Sequence, residues 1–424
     1  MKPDWYKLSY IAHQLQEATS VQDATDIWFR YPDIVNGADL VFAAPEPTDF
    51  ILPSSNWDIK SRTDSYPRCL YYTDNLYFLN NEIVINTFLQ KGTEIKCDLT
   101  IMWDSNVAGE IKHFITGKRP LKTHVKAVLD FLIREEINFA YQHYIFENAR
   151  NYFNKPFHAK FVYETFYYIQ YFDYLDKSLY FKDGTRKALI DEQQLLAEAG
   201  KVISQTYGSR EYRPFLRGFL NFHYLTYLAI LKVVEIEFGY PKKRFETKLE
   251  MLLDFMHSKL HRILQRELIL AVSYFKDRNS VGFMHKINVG CETRLERIGN
   301  IAWDIMLFRA MEKFATVTTK NGKLIPYFIS FDAASLALFD KYRIKALISC
   351  GEEGEFHSIL HDRIEDLLFD SIEDKSQKRN LQRYFMSDFR NFRIQELKRG
   401  NSPSRKYVRQ LEKRVCVECL KTSY

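Results

Sequence analysis

Four acidic residues in two distant segments of the chain have the types and positions that metal chemistry needs. Asp104 follows the short apolar run Leu99–Trp103, and Asp332 follows the apolar run PYFISF, so each is predicted to end a buried strand. Glu147 in YQHYIFENARN falls in a helical pattern, and Asp304 in NIAWDIMLFRA is predicted near the start of a helix. Because ligand sites of open α/β sheets form at the carboxyl ends of strands, we expect the four side chains to converge at one sheet edge.

Carboxylates gathered at one edge repel one another, and they cannot all be ionised unless a cation neutralises them. Hard oxygen ligands of this kind select Mg²⁺ or Mn²⁺. Two such ions about 3.5–4 Å apart activate a water and stabilise the leaving oxygen in phosphodiester cleavage. The four acids therefore predict metal-dependent hydrolysis of a phosphodiester bond.

The composition predicts a mainly helical α/β chain around these strands. Hydrophobic residues make up 46% and aromatic residues 15% of the 424 residues, which excludes a disordered protein. Glycine accounts for only 16 residues, below average usage, and few turns per residue imply long elements. Over residues 295–350, helical and strand patterns alternate at intervals of about 10–15 residues, which is typical of an α/β fold.

The order of these elements resembles the PIN-like nuclease family. In that family an apolar strand ends in Asp-Ser/Thr-Asn, a helical Glu follows, and later come a helix that starts around an Asp and a second strand that ends in Asp. The matching residues are Met102-Trp103-Asp104-Ser105-Asn106-Val107, Phe146-Glu147-Asn148, Asp304 with Ala310, and Ile329-Ser330-Phe331-Asp332. The resemblance implies that the four acids are the catalytic residues and hold one or two Mg²⁺ or Mn²⁺ ions, that Ser105 and Asn106 shape the pocket, and that the substrate is RNA.

The resemblance also divides the chain into segments. A small parallel-sheet domain is expected in two halves, 98–150 and 290–350, with residues 122–150 helical. An all-α insertion of 139 residues, 151–289, separates the halves, which is the main departure from the family. A mixed region, 1–97, precedes the domain, and a basic helical extension, 351–424, follows it. We expect the insertion to be a surface for a regulatory protein partner.

The charge of the chain is uneven, because a net charge of +6 combines a body of −4 with a tail of +10 over residues 375–424. The tail interleaves its cations with aromatic residues, a composition that suits RNA or single-stranded nucleic acid. The candidate nucleic-acid-binding residues are Arg379, Arg383, Arg390, Arg393, Lys398, Arg399, Arg405 and Lys406. An alternative interpretation is an amphipathic tail that packs its aromatic side chains on the body and exposes its charges.

Each acid also has a simpler interpretation, since an acid after a strand is most often a turn-former or a helix cap. Three other glutamates on neighbouring helical stretches, Glu135, Glu136 and Glu164, are alternatives to Glu147. The competing function is a non-catalytic helical scaffold or nucleic-acid-binding subunit.

The sequence also carries an expectation about location. The start, MKPDWYKLSY, has no apolar signal core, and the apolar stretch Tyr224–Ile236 is interrupted by Lys232 and Glu235. Six cysteines in a chain of this length do not form a disulfide framework. We therefore expect a cytoplasmic protein.

Overall fold

The computed structural model describes residues 5–48, 50–93, 95–135, 137–154, 156–279, 281–282, 284, 287, 291–350, 355–370, 372–401 and 403–421. These residues form a mainly helical α/β structure with two five-stranded sheets, which confirms the predicted class.

The strands are β1 (Ala38–Ala43), β2 (Phe50–Ile51), β3 (Arg68–Cys69), β4 (Asn75–Leu79), β5 (Cys97–Trp103), β6 (Asn138–Ala140), β7 (Thr318–Thr319), β8 (Gly322–Ile329), β9 (Ile344–Cys350) and β10 (Glu355–Leu360). The α-helices are α1 (Trp5–Glu17), α2 (Val21–Arg30), α3 (Pro32–Val35), α4 (Asn81–Phe88), α5 (Ser105–Thr116), α6 (Thr123–Glu135), α7 (Gln142–Asn154), α8 (Pro156–Asp173), α9 (Lys177–Asp183), α10 (Glu192–Ile203), α11 (Tyr212–Gly239), α12 (Phe245–Phe255), α13 (Gln265–Lys276), α14 (Cys291–Phe314), α15 (Ala333–Asp340), α16 (Ile364–Phe369), α17 (Lys375–Gln382), α18 (Ser387–Lys398) and α19 (Arg405–Lys421).

The chain divides into two compact units, each built from two separate stretches. Unit 1 comprises Met1–Leu216 and Leu307–His361, and unit 2 comprises Arg217–Met306 and Asp362–Tyr424. This division differs from the predicted one, because helices α8 to α10 belong with the sheets rather than with the rest of the segment 151–289. The reason is packing: α8 lies against α5, α7 and α10, and buries an apolar stripe that includes Val162, Phe166 and Ile169.

The sheet that contains β5 combines parallel and antiparallel pairs. Strand β5 lies between β8 and β6 and is parallel to both, whereas β3 and β7 pair with β8 in antiparallel orientation. Residues Ile101, Met102 and Trp103 of β5 are fully buried, as expected of a strand covered on both faces. The three-residue strand β6 interrupts the region 122–150, which the sequence pattern predicted to be helical throughout.

The second sheet of unit 1 is antiparallel and has the order β10-β9-β1-β4-β2. Its central strand β1 buries Leu40 and Phe42 in one apolar cluster with Leu8 and Ile11 of α1. Strand β9 belongs to this sheet, although the sequence pattern grouped it with β8 in the domain half 290–350. The segment after β8 therefore crosses from one sheet to the other.

The regular elements among the described residues of unit 2 are all helices, and most of the 28-residue helix α11 belongs to it. By length and composition alone, α11 is apolar enough to cross a membrane. However, 56% of its most apolar 18-residue stretch is buried inside the protein. In the same helix, Lys232 donates a hydrogen bond to Glu235 (2.6 Å). Buried core helices meet the same criterion, so the length and composition of α11 are weak evidence for a membrane span.

Candidate active site

Asp104 joins the end of β5 to the start of helix α5. Its Oδ1 accepts a hydrogen bond from the backbone N–H of Val107 (3.0 Å), which makes Asp104 the N-cap of α5. The residue is only 4% exposed. Burial raises the pKa of Asp104, while hydrogen bonds from Ser330, Val107 and Asn106 oppose that rise. Asp104 is therefore a buried carboxyl held in one orientation.

Ser330 connects Asp104 to the neighbouring strand. Because β5 and β8 are parallel with Trp103 opposite Ile329, the residues that follow these two stand side by side. The Ser330 hydroxyl donates a hydrogen bond to Asp104 Oδ2 and accepts one from the backbone N–H of Asp332 (3.0 Å). One buried hydroxyl thus fixes the ends of both strands.

Asp332 lies three residues beyond β8 and caps helix α15. Its Oδ1 accepts a hydrogen bond from the backbone N–H of Ala334 (2.9 Å), and the residue is partly exposed. The structure therefore places Asp104 and Asp332 at the carboxyl edge of two adjacent parallel strands and gives each acid a helix to cap.

Glu147 reaches Asp104 from helix α7. Burial is the largest cause of a rise in the pKa of Glu147 to about 7, and the charge of Asp104 raises it further. A hydrogen bond from the Ser105 hydroxyl opposes the rise. Because each carboxyl disfavours ionisation of the other, Asp104 and Glu147 form an interacting pair, which we call the acidic pair.

The two residues predicted to shape the pocket both contact the acidic pair. Ser105 donates to Glu147, as described above, and Asn106 Nδ2 lies 3.4 Å from Asp104 Oδ2. Both residues belong to the first turn of α5, so the helix that Asp104 caps also carries the polar side chains around it.

The other glutamates considered from the sequence have different partners. Glu135 accepts from its exposed neighbour Arg134 (3.0 Å), and Glu164 accepts from Lys112 (2.8 Å). Glu136 lies outside the described residues. Among the described candidates, Glu147 is the one whose ionisation responds to Asp104.

Asp304 lies in the middle of helix α14, which begins at Cys291, and not near the start of a helix as predicted. The helix begins four residues before the helical pattern that starts at Leu295, so Asp304 lies 13 residues after its first residue. This part of α14 belongs to unit 2, whereas Asp104, Glu147 and Asp332 belong to unit 1. The contribution of Asp304 to the site stays a prediction.

The metal-binding capacity of the site rests on the acidic pair. Among the described residues, no three His, Cys, Asp or Glu side chains are grouped so that they could hold a metal ion. Mg²⁺ commonly binds through one or two carboxylates and completes its shell with waters and substrate phosphates. Two carboxyls with raised pKa values fit such an ion, because its charge would favour their ionised forms. The donor set therefore fits Mg²⁺ or Mn²⁺ as a two-carboxylate site.

The candidate nucleic-acid-binding residues of the tail lie in unit 2 and differ in exposure. Arg383 contacts Glu250 (3.4 Å) and the ring of Tyr384, and the buried Arg393 donates to the Tyr384 carbonyl (2.7 Å). The other six are exposed: Arg379, Arg390, Lys398, Arg399, Arg405 and Lys406. Arg393 is thus part of the packing, whereas the exposed six are positioned to contact a polyanion.

The aromatic residues of the tail pack within unit 2. The rings of Tyr384, Phe389 and Phe392 surround His257, with centroid separations of 5.8, 4.6 and 5.0 Å. Tyr384 is 1% exposed. This arrangement is the one that the amphipathic-tail interpretation predicts.

Comparison of the chain with known proteins does not identify a family. No protein-family model, curated protein or solved structure matches it. The resemblance to PIN-like nucleases therefore rests on the residues quoted above, and function must be inferred from the geometry around Asp104.

Ser330 is a site residue to which the sequence pattern assigned no role, although it stands in the quoted segment Ile329-Ser330-Phe331-Asp332. A signal was present, because Ser330 is the first polar residue after the apolar end of β8. Its function depends on the register of β8 against β5, which the sequence pattern alone does not specify.

Proposed function

We propose that this protein is a metal-dependent nuclease that hydrolyses phosphodiester bonds of RNA, with Asp104 and Glu147 at the centre of its active site. The observation that carries the proposal is the acidic pair, two carboxyls that interact at the carboxyl edge of parallel strands, where α/β proteins bind ligands. Both carboxyls have raised pKa values, a property that clusters at functional sites.

The proposed site assigns separate roles in hydrolysis to the bound ion, to Asp104 and to Glu147. A bound Mg²⁺ or Mn²⁺ ion supplies positive charge that offsets the charge of the phosphate and makes water more acidic. Asp104, oriented by Ser330 and the N–H of Val107, serves as the fixed metal ligand. Glu147 would be the second carboxylate that holds the ion, and because a bound cation favours the ionised form, the pKa of about 7 belongs to the metal-free protein.

Further residues complete the proposed site. Asp332 follows β8 at the same carboxyl edge and is linked to Asp104 through the hydroxyl of Ser330. The six exposed cations of the tail contact RNA phosphates, an interaction that does not depend on sequence.

A second candidate function is a non-catalytic nucleic-acid-binding subunit, in which the acids are structural. The observation that favours it is that Asp104 and Asp332 both cap helices. Because Asn caps a helix as well as Asp does, substitution by Asn separates the two functions.

The proposal is tested by RNA cleavage with Mg²⁺, with Mn²⁺ and with EDTA. We expect metal-dependent cleavage by the wild type, and a loss of about 10²-fold or more in Glu147→Gln, because it removes one of the two carboxylates that would hold the ion, and even residues that only support metal ligands are worth about 10–100-fold. Glu164→Gln is the matched control, since it makes the same change on the adjacent helix α8 at an exposed glutamate paired with Lys112. Cleavage by Glu147→Gln at the control rate would overturn the proposal, and a single-stranded DNA of the same sequence tests the preference for RNA.

A further inference from the structure

A polar cavity lies in unit 1, away from the proposed active site. None of the residues that line it belongs to the acidic pair. Its volume is about 150 Å³, and three cationic side chains, Lys60, Arg68 and Arg343, contribute to its wall. Asp74 is the one acidic residue among the described residues that line it. We call this space the basic cavity.

Two guanidinium groups lie close together in the basic cavity. Burial lowers the pKa of Arg68; Tyr66 and Asp64 oppose this fall, and the positive charge of Arg343 adds to it. The Arg68 side chain is only 14% exposed, so water screens this repulsion poorly. Like charges held together in a partly buried site are stabilised by an anion.

Arg68 has hydrogen-bonding capacity that the described residues do not use. Its Nη1 forms an ion pair with the carboxylate of Asp340, and its Nη2 donates to the carbonyl of Asp64 (3.0 Å). Its Nε is buried and has no hydrogen-bond acceptor among the described residues. A buried donor without an acceptor costs free energy.

The remaining charges do not neutralise the basic cavity. Arg343 donates from Nε to the backbone carbonyl of Tyr71 (3.0 Å), which carries no formal charge. Lys60 pairs with Asp74 (2.8 Å). With Asp340, which is paired with Arg68, the three cations face two acids, and a formal charge of +1 remains.

The neutral groups of the cavity do not supply a second anion. Burial raises the pKa of the Cys69 thiol to about 12, so Cys69 remains uncharged. Tyr327 donates to Ser54 (2.7 Å), and Ser54 in turn donates to Asp74 (2.8 Å). These hydroxyls organise the wall of the cavity around Asp74.

We propose that the basic cavity binds a phosphate group through Arg68 and Arg343, with Lys60 nearby. The planar fork of arginine matches the oxygen geometry of phosphate. The volume is smaller than the roughly 300–1,000 Å³ of pockets that enclose drug-sized ligands, so a phosphate enters but a whole nucleotide does not. The ligand is either free phosphate or the terminal phosphate of a larger molecule that remains outside. This inference is independent of the proposed nuclease activity.

The test measures binding of inorganic phosphate and of two RNA oligonucleotides, one with a 5′-phosphate and one with a 5′-hydroxyl, all in EDTA. EDTA removes metal from the acidic pair, so failure of the nuclease proposal does not affect the result. We expect saturable binding of phosphate by the full chain, weakened about tenfold or more in Arg68→Gln, because hydrogen bonds to charged groups contribute strongly. Arg62→Gln is the control, since Arg62 is exposed and pairs with Asp58.

The outcomes separate the two sources of phosphate. Tighter binding of the 5′-phosphorylated oligonucleotide, abolished in Arg68→Gln, assigns the cavity to a terminal phosphate. Equal binding of the two oligonucleotides together with saturable binding of inorganic phosphate assigns it to the free ion. If Arg68→Gln does not fold, Lys60→Gln replaces it, and we expect binding to weaken several-fold. Absence of saturable phosphate binding by the wild type, or unchanged binding in the variant that folds, would overturn the proposal.

Discussion

The carboxyl edge of the parallel strands in unit 1 and the basic tail of unit 2 were both predicted to be functional. The polar side chains at the sheet edge interact with one another, whereas the aromatic side chains of the tail pack within unit 2. At the sheet edge, Asp104, Glu147 and Ser330 come from three distant segments and interact with one another. In the tail, the aromatic residues that were candidates for stacking on bases instead pack around His257. In the tail, the six exposed cations are the residues that have the predicted exposure to solvent.

The difference lies in the kind of observation behind each prediction. An apolar strand that ends in a polar residue fixes where that residue lies, because parallel strands deliver their ends to one edge. Mixed aromatic and cationic composition does not fix a position, since an RNA-binding surface and an amphipathic helix share it. In α19, for example, Val408, Leu411 and Val415 are buried while Lys406, Arg409 and Lys413 are more exposed.

The largest expected effect comes from removing the packed side chain of Tyr384. We expect Tyr384→Ala to lower the free energy of unfolding by about 3–5 kcal/mol, as for other large buried aromatic residues. Denaturant unfolding of the full chain measures it, with Phe392→Ala as the control because Phe392 is 43% exposed. A small drop in stability in Tyr384→Ala, together with a large drop in RNA affinity, would restore a base-stacking role to the tail.

The next effect concerns the dependence of stability on pH. The pKa of Glu147 rises from 4.5 to about 7 in the folded protein, so between these values the folded state binds more protons than the unfolded chain. The free energy of unfolding therefore falls as the pH rises through this window, by up to about 3 kcal/mol from this group. We expect Glu147→Gln to remove that fall and Glu164→Gln to keep it. Identical pH profiles for the wild type and Glu147→Gln would show that the pKa of Glu147 is not raised in the folded protein.

A smaller effect is expected at the hydroxyl that links the two strands. Ser330→Ala removes the donor to Asp104 and leaves a buried oxygen with one hydrogen bond fewer, at a cost of about 1–3 kcal/mol. Denaturant unfolding measures the change, and Ser61→Ala serves as the control because Ser61 is exposed. Equal stability of the two variants would remove Ser330 from the site.

The smallest effect is expected in the tail. Each phosphate that a cation neutralises contributes about 0.7 to the log–log slope of single-strand binding against salt concentration. We expect replacement of Lys398, Arg405 and Lys406 by Gln to reduce this slope for RNA by about that amount for each phosphate they neutralise. The control replaces three exposed cations elsewhere in unit 2, Lys242, Lys243 and Arg244. A control that reduces the slope equally would show that net charge, and not the tail, determines RNA binding.

The sequence was informative where a local pattern determines position and uninformative where long-range pairing does. The run before Asp104 identified β5, because an apolar segment that ends in polar residues has few alternatives. Strand β6 was missed, since three residues between two helices leave no detectable alternation. The placement of β9 in the second sheet depends on pairing with β1, some 300 residues earlier, and no local signal encodes it.

The basic cavity shows the same limit. Arg68 and Arg343 are 275 positions apart, and neither belongs to a charge run or a motif. Their proximity follows from the register of β3 against β8 and from the position of Arg343 just before β9. Such a site is visible only once the sheets are assembled.

The most direct test of the acidic pair as a catalytic centre is RNA cleavage by Asp104→Asn, measured with its thermal stability in the same preparation. Asn keeps an acceptor for the N–H of Val107 and caps helix α5, but its amide group replaces the acceptor of the Ser330 hydroxyl, so we expect the free energy of unfolding to fall by at most about 1–3 kcal/mol. We expect the metal-dependent cleavage rate to fall by about 10²-fold or more. Cleavage at the wild-type rate by a stably folded Asp104→Asn would contradict the catalytic role and leave Asp104 as a helix cap.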